Sequence, residues 1–292
     1  MSRCIAQTIR RLSAAVTVGA CVALALAATL ATLATPALAA GKGKTTLHWY
    51  GQAAWKITTP TGAVILVDPW LTVPTNPDKN SIKELGRVDY ILITHAHSDH
   101  IGNALEIAKK TGAKVLASYG LSFNLKSVLG FPKDQVMTGG NVGGTIDLPK
   151  ADAKVLYVNA EHGSELVPPV YKAKPGEPAA LASGNPVGYV IMIKNGPTIY
   201  DTGDTDVTED MKLIPMFHHI DVMLACIGGY FTMDPQRAAL AVQFVKPDHV
   251  IPMHFGTYKL LAGTPAEFRA ALKKRGLAKK LIVMKPGDTR SF

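Results

Sequence analysis

Residues 94–103 read Thr94-His95-Ala96-His97-Ser98-Asp99-His100-Ile101-Gly102-Asn103, and this stretch decides how the chain is read. It follows the apolar, β-branched run Tyr90-Ile91-Leu92-Ile93, which predicts a buried strand, and Gly102-Asn103 marks a turn before the next helix. Three histidines and an aspartate therefore stand at a strand end, on a loop held by a rigid element. A lone histidine there would read as a solvated loop residue. Four ligand-type side chains in His-x-His-x-Asp-His order read as a site for one or two divalent metals.

Upstream, strands are expected over 46–50, 54–58 and 63–67, the first two joined around Gly51-Gln52. The third ends in Val67-Asp68-Pro69-Trp70, which leaves a carboxylate at its terminus. Downstream, 103–111 reads as a short amphipathic helix stopped by Gly112, 114–118 as a strand and 121–129 as a helix. The glycine-rich patch 139–144 lacks a P-loop lysine and reads as a tight β connection. A strand over 153–158 delivers Glu161-His162-Gly163. Residues 164–186 carry five prolines without regular periodicity, a long loop that reads equally as substrate-facing, from its place next to His162, or as a passive surface loop. A hairpin over 188–194 and 198–200 ends in Asp201-Thr202-Gly203-Asp204. A helix over 210–217, a strand over 222–227 and a helix from Asp234 to Val245 follow; Asp234 caps the helix and Pro235 suits its first turn. Residues 249–252 form a strand presenting Met253-His254. A helix over 265–276 and a strand over 280–284 close the chain. Of the remaining histidines, His48 lies within a strand, His249 precedes one, and His218-His219 follow a helix, where exposure is the default.

The 292 residues suffice for one large domain, and 47% hydrophobic against 18% charged residues is a globular composition. The net charge is +9, but Arg3, Arg10 and Arg11 contribute three of these charges, and most of the rest is spread over helix faces. Without interleaved aromatics this does not predict nucleic-acid binding. Those arginines precede an uncharged Ala-, Leu- and Val-rich stretch from Leu12 to Gly41, with Pro36 just before Ala37-Leu38-Ala39. The pattern predicts a signal peptide over 1–39, a mature domain over 40–292, and a periplasmic or secreted protein. An uncleaved membrane anchor is the alternative. Cys4 and Cys21 leave with the leader. Cys226, inside the run Val222-Met223-Leu224-Ala225, is expected to be a buried core residue rather than a nucleophile.

His95, His97, His100, His162, His254, Asp68, Asp99 and Asp204 all sit just past apolar strand-like runs, so they collect along one sheet edge. In that order they resemble the five motifs of the metallo-β-lactamase superfamily: Asp68; His95-x-His97-x-Asp99-His100; His162; Asp204; His254. Gly203-Asp204-Thr205, Phe231-Thr232-Met233 and Ile251-Pro252-Met253-His254 look like the small metal-dependent hydrolases related to ascorbate-6-phosphate lactonases. The resemblance implies an α/β (α+β) fold, a four-layer αββα sandwich, with a dinuclear centre. His95, His97 and His162 would bind the first metal; Asp99, His100 and His254 the second; Asp204 would bridge both. Asp68 would orient a ligand histidine, and Asp99 could also orient the attacking water.

Nitrogen and oxygen donors without cysteine suit Zn²⁺, with Mn²⁺ or Fe²⁺ also compatible. Two cations held close together ionise a shared water and polarise the oxygen under attack, so no serine or cysteine nucleophile is needed. The expectation is an exported hydrolase of a small lactone or ester. A phosphodiesterase of the same fold, or a metal-binding protein without turnover, is the alternative. Gln52 stands where that subfamily usually has a histidine, and it cannot ionise near neutral pH.

Overall fold

The computed structural model describes residues 44–292; the expected leader lies outside the described residues. In chain order the strands are β1 (Thr46–Gly51), β2 (Ala54–Thr58), β3 (Val64–Val67), β4 (Tyr90–Leu92), β5 (Lys114–Leu116), β6 (Thr145–Leu148), β7 (Ala153–Asn159), β8 (Glu165–Leu166), β9 (Leu181–Ala182), β10 (Val187–Ile193), β11 (Thr198–Asp201), β12 (Val222–Cys226), β13 (His249–Met253) and β14 (Thr289–Ser291). The helices are α1 (Ser81–Glu84), α2 (Ser98–Ile101), α3 (Ala104–Thr111), α4 (Tyr119–Ser127), α5 (Ile214–Phe217), α6 (Pro235–Val245) and α7 (Pro265–Lys274).

Two six-stranded sheets form the centre, in the orders β14-β1-β2-β3-β4-β5 and β13-β12-β11-β10-β7-β6. Within the first, β3, β4 and β5 are parallel; within the second, β11, β12 and β13 are parallel. Alternation along each strand assigns its faces. Trp55 and Ile57 of β2 join Tyr189 and Ile191 of β10 in the core between the sheets. Leu66 and Ile91, on the other face of the first sheet, pack with Ile107 of α3 and Leu121 and Leu125 of α4. Val190 and Met223, on the outer face of the second, pack with Ala238 and Val242 of α6 and Phe268 of α7. The result is helices, sheet, sheet and helices in four layers, the αββα architecture expected. Cys226 is fully buried in the last of these cores, and burial pushes its thiol up to about 12.

Three expectations fail. Residues 280–284 form no strand: Ala278–Lys280 is a turn of 3₁₀ helix, and Leu281 makes only an isolated bridge to Val250. The last strand is instead β14, which pairs antiparallel with β1 through exposed Thr289, Arg290 and Ser291. The helix expected over 210–217 is broken into Glu209–Lys212 and α5, because Pro215 cannot donate to a preceding turn and so restarts the helix near its own first turn. The 164–186 segment is not wholly irregular, since β8 and β9 pair across it as a small ribbon. The sequence reading also passed over β6, whose residues are mostly exposed.

Candidate metal centre

The expected ligands converge at one edge of the two sheets. Asp68 follows β3, His95 to His100 follow β4, His162 follows β7, Asp204 follows β11 and His254 follows β13. Because β3 and β4 run parallel in one sheet and β11 and β13 run parallel in the other, their carboxyl ends deliver side chains to a common place. His95, His100, Asp204 and His254 are buried, whereas His97, Asp99 and His162 are only partly covered.

Two groups of donors form. In the first, His97 Nδ1 stands 2.9 Å from His95 Nε2 and 3.2 Å from His162 Nε2. In the second, His254 Nε2 lies 3.5 Å from Asp99 Oδ2, and His100 Nε2 lies 3.7 Å from the same oxygen. Asp204 Oδ2 touches both groups: it is 2.9 Å from His254 Nε2, 3.3 Å from His100 Nε2 and 3.7 Å from His162 Nε2. Nitrogen ligands around a tetrahedral zinc stand about 3.3 Å apart, so the spacing suits cations. His100 Nε2 and Asp204 Oδ1 are buried without a hydrogen-bond partner. Such groups are costly to bury unless something else satisfies them, and a divalent cation does so. The donor set fits a pair of metals.

The surrounding residues hold these donors in place. Asp68, itself fully buried, accepts from Thr94 N (2.8 Å), Thr94 Oγ1 (2.7 Å) and His100 Nδ1 (2.7 Å). It thereby leaves His100 Nε2 facing Asp99 and Asp204. Thr94 Oγ1 also stands 3.0 Å from His95 Nδ1. Ser164 Oγ accepts from Ala96 N, and Glu165 Oε2 lies 3.5 Å from His97 Nε2, so the proline-rich loop begins against the ligand loop.

Two residues of the site escaped the sequence reading as site residues. Gln52, buried in the β1–β2 turn at φ +47°, donates from Nε2 to Asp99 Oδ2 (2.9 Å) and stands 2.8 Å from His254 Nε2. Its backbone carbonyl accepts from His254 N (3.0 Å). The replacement of histidine by glutamine had flagged the position, but its reach into the centre depends on a left-handed backbone that sequence does not announce. Asp201, three positions before Asp204 and fully buried, accepts from Gly203 N through one oxygen while the other has no partner. Burial, then the nearby Asp68 carboxylate, pushes its carboxyl up to about 8.

Burial opposes charge throughout the centre, yet the carboxylates win where they are close. Against burial, Asp204 pushes His254 up to about 9, and Asp204 and Asp68 hold His100 well above the ordinary imidazole value. The same imidazoles hold Asp204 and Asp99 well below the usual carboxylate range. Burial and the neighbouring His100 push His95 down, and burial lowers His162. His95 and His162 thus offer free imidazole lone pairs, while His100 and His254 hold protons that a cation displaces.

His219, outside the site, pairs with Asp248 at 2.8 Å on the surface. His48 Nδ1 stands 2.8 Å from Thr289 Oγ1.

A fold of two sheets between helices, with histidines and aspartates gathered at the strand ends, defines a class, and the chain belongs to it: residues 46–254 match the beta-lactamase superfamily domain. Within that class the chain belongs to the UPF0173 metal-dependent hydrolases. It is 49% identical over 251 residues to the one from Thermodesulfovibrio yellowstonii, covering 85% of this chain and 92% of the relative. It is 46% identical over 254 residues to the one from Myxococcus xanthus, covering 87% and 86%. Among solved structures it resembles a metallo hydrolase from the hyperthermophilic archaeon Ignicoccus hospitalis, at 33% identity and a TM-score of 0.72, covering 85% of this chain and 98% of that one. An isothiocyanate hydrolase from Delia radicum gut bacteria shares the fold at 16% identity and a TM-score of 0.62, over 85% and 98% of the two chains.

Proposed function

We propose that this chain hydrolyses a small lactone or carboxylic ester with two divalent cations, Zn²⁺ first among those the donors suit, with Mn²⁺ and Fe²⁺ also compatible. His95, His97 and His162 would hold one, Asp99, His100 and His254 the other, and Asp204 both. The observation that carries the reading is the position of Asp204 Oδ2, within 3.7 Å of ring nitrogens from both groups. When bound, the cations supply an ionised water near neutral pH and a Lewis acid for the carbonyl oxygen.

The chain's own residues do the rest. Asp68 fixes the His100 ring through Nδ1, so that Nε2 faces the reacting centre. Asp99, partly exposed and ionised, is held by Gln52 through Oδ2 and is placed to accept a hydrogen bond from the attacking water and so orient it. Hydroxide addition to the carbonyl carbon is followed by cleavage of the ester C–O bond. The departing alkoxide takes a proton from solvent to become the alcohol, and the carboxylic acid releases one to solvent to become the carboxylate.

The test is a panel of lactones, esters, phosphodiesters and β-lactams on protein loaded with Zn²⁺ or Mn²⁺, with His95→Ala as control. Lactone or ester hydrolysis lost in the control supports the reading. Activity surviving in the control, or turnover of phosphodiesters alone, refutes it. The Ala37-Leu38-Ala39 pattern further supports export with cleavage after Ala39, giving a periplasmic or secreted enzyme acting on a small-molecule substrate without nucleic acid. An intact leader on protein recovered from the cell envelope would instead make it a membrane-anchored enzyme.

A further inference from the structure

Beside the donors lies a cavity of about 180 Å³ lined by His97, Asp99, His162, Asp204, His254, Phe231 and Tyr258. Among the described residues that line it there is no lysine or arginine. Away from the donors, where the two cations would sit, a phosphate, sulfate or carboxylate on the substrate would find no lysine or arginine to pair with. What the lining offers away from the donors is two aromatic rings, Phe231 and Tyr258, each about half exposed. Tyr258 is backed by Trp70, the two rings stacked at 6.1 Å and 19°. Phe231 is flanked edge-on by Tyr230 at 4.7 Å. Exposed aromatic surface gathered at a cavity mouth marks a surface that a ligand covers.

The rings are also built in. Trp70 follows the Asp68 turn, and Gly102, directly after the ligand loop, packs against it so closely that a Cβ would stand 2.5 Å from Trp70 Cα. The turn bearing Phe231 is seated on the ligands as well: a Cβ on Gly228 would stand 2.3 Å from the His254 carbonyl oxygen, and Met233 N donates to Thr205 O beside Asp204. Within that turn Tyr230 adopts φ +58°, a conformation non-glycine residues rarely take and one that accumulates at functional sites.

We infer that the substrate carries an uncharged, flat apolar group, aryl or of similar shape, which packs on Phe231 and Tyr258 while its carbonyl meets the metal donors. This rests on the hydrolase reading above and adds the group that would be recognised. The volume of about 180 Å³ is of the size of a small molecule.

Three ethyl esters sharing one leaving group test it on full-length protein loaded with Zn²⁺ or Mn²⁺: ethyl phenylacetate, ethyl butyrate and the anionic monoethyl succinate. Ethyl phenylacetate is expected to have a kcat/KM about 10-fold or more above monoethyl succinate, since ring packing alone contributes roughly 2- to 10-fold. Phe231→Ala is expected to raise KM for ethyl phenylacetate by about 10-fold and to leave ethyl butyrate within about 3-fold; Phe231→Leu falls between. Equal kcat/KM for the three esters, or an equal loss on all of them in Phe231→Ala, overturns the inference. Should none be turned over, the hydrolase reading is what fails. Ligand-observed NMR then decides the inference alone: ethyl phenylacetate binding that Phe231→Ala removes supports it, and binding indifferent to the ring or to Phe231 refutes it.

Discussion

Asp68 Oδ2 and His100 Nδ1 lie 2.7 Å apart, both side chains completely buried. Thirty-two positions separate them in the chain, and the parallel pairing of β3 with β4 is what brings them together. The bond leaves His100 one nitrogen for the centre and fixes which one it is. Asp68→Asn keeps the volume but removes the charge that supports the ring. Its expected effect is a loss of about 10- to 100-fold in affinity for one of two cations, read by competition with a chromophoric chelator. Unchanged affinity at both sites would remove Asp68 from the metal machinery.

Gln52 connects the first turn of the fold to the last ligand. Its side chain holds Asp99 and its carbonyl holds the His254 backbone. Gln52→Ala deletes the first of these bonds and spares the second. One cation is then expected to leave more readily while the one held by His95, His97 and His162 stays. Stoichiometry measured by elemental analysis after mild dialysis should fall from two toward one, and retention of both would count against this role.

Cation binding should depend steeply on pH. His254 is raised to about 9 and His100 also lies above its ordinary value, so near neutrality both carry protons that cations must displace. Asp99 and Asp204 are already ionised and add nothing to this slope. Affinity should therefore rise from pH 6 toward about 9, with protons released into weakly buffered solution. Titration calorimetry in buffers of different ionisation enthalpy measures the release, and a value of zero near pH 7 would refute it.

Asp201 has the opposite character, a carboxyl kept neutral. Because its folded value is raised to about 8, the folded chain holds this proton more tightly than the unfolded chain. The associated stability is fully present below the ordinary carboxylate range and declines as pH rises toward 8. Asp201→Asn escapes that decline. In metal-free protein the variant should gain on the wild type between pH 5 and pH 8, by about 4 kcal/mol at most. Thermal melts at the two pH values give the comparison, and a constant offset would show that Asp201 does not titrate in this interval.

Gly102 has φ +43° and ψ −119°, a region closed to side chains, and its missing Cβ leaves room for Trp70. Gly102→Ala should cost about 2 kcal/mol or more. It should also change near-ultraviolet dichroism as Trp70 moves. A melt within one degree of the wild type would contradict the close packing.

The legible part of the molecule was the part with a period. The strands that end beside the candidate donors could be placed because 90–93, 153–158 and 222–227 are short, mostly apolar runs of strand length. Gln52, Asp201 and Tyr230 were opaque as site or rim residues for a shared reason: their roles come from a left-handed turn or from an unpartnered buried atom, and neither leaves a mark in composition. β14 was missed because Thr289-Arg290-Ser291 is exposed and has no apolar alternation; its strand character comes wholly from its partner.

That partner is β1. Thr45 and Phe292 exchange backbone hydrogen bonds in both directions, at 3.2 Å and 2.9 Å, so residues 289–292 cover the outer edge of the first described strand. The outer edge of β1 stays unpaired until residues 289–291 reach it, however early the rest of its sheet assembles. Until then it is an open template for other chains. With β14 in place, the free edge on this side of the sheet is the three exposed residues Thr289-Arg290-Ser291, too short and too polar to be a good template.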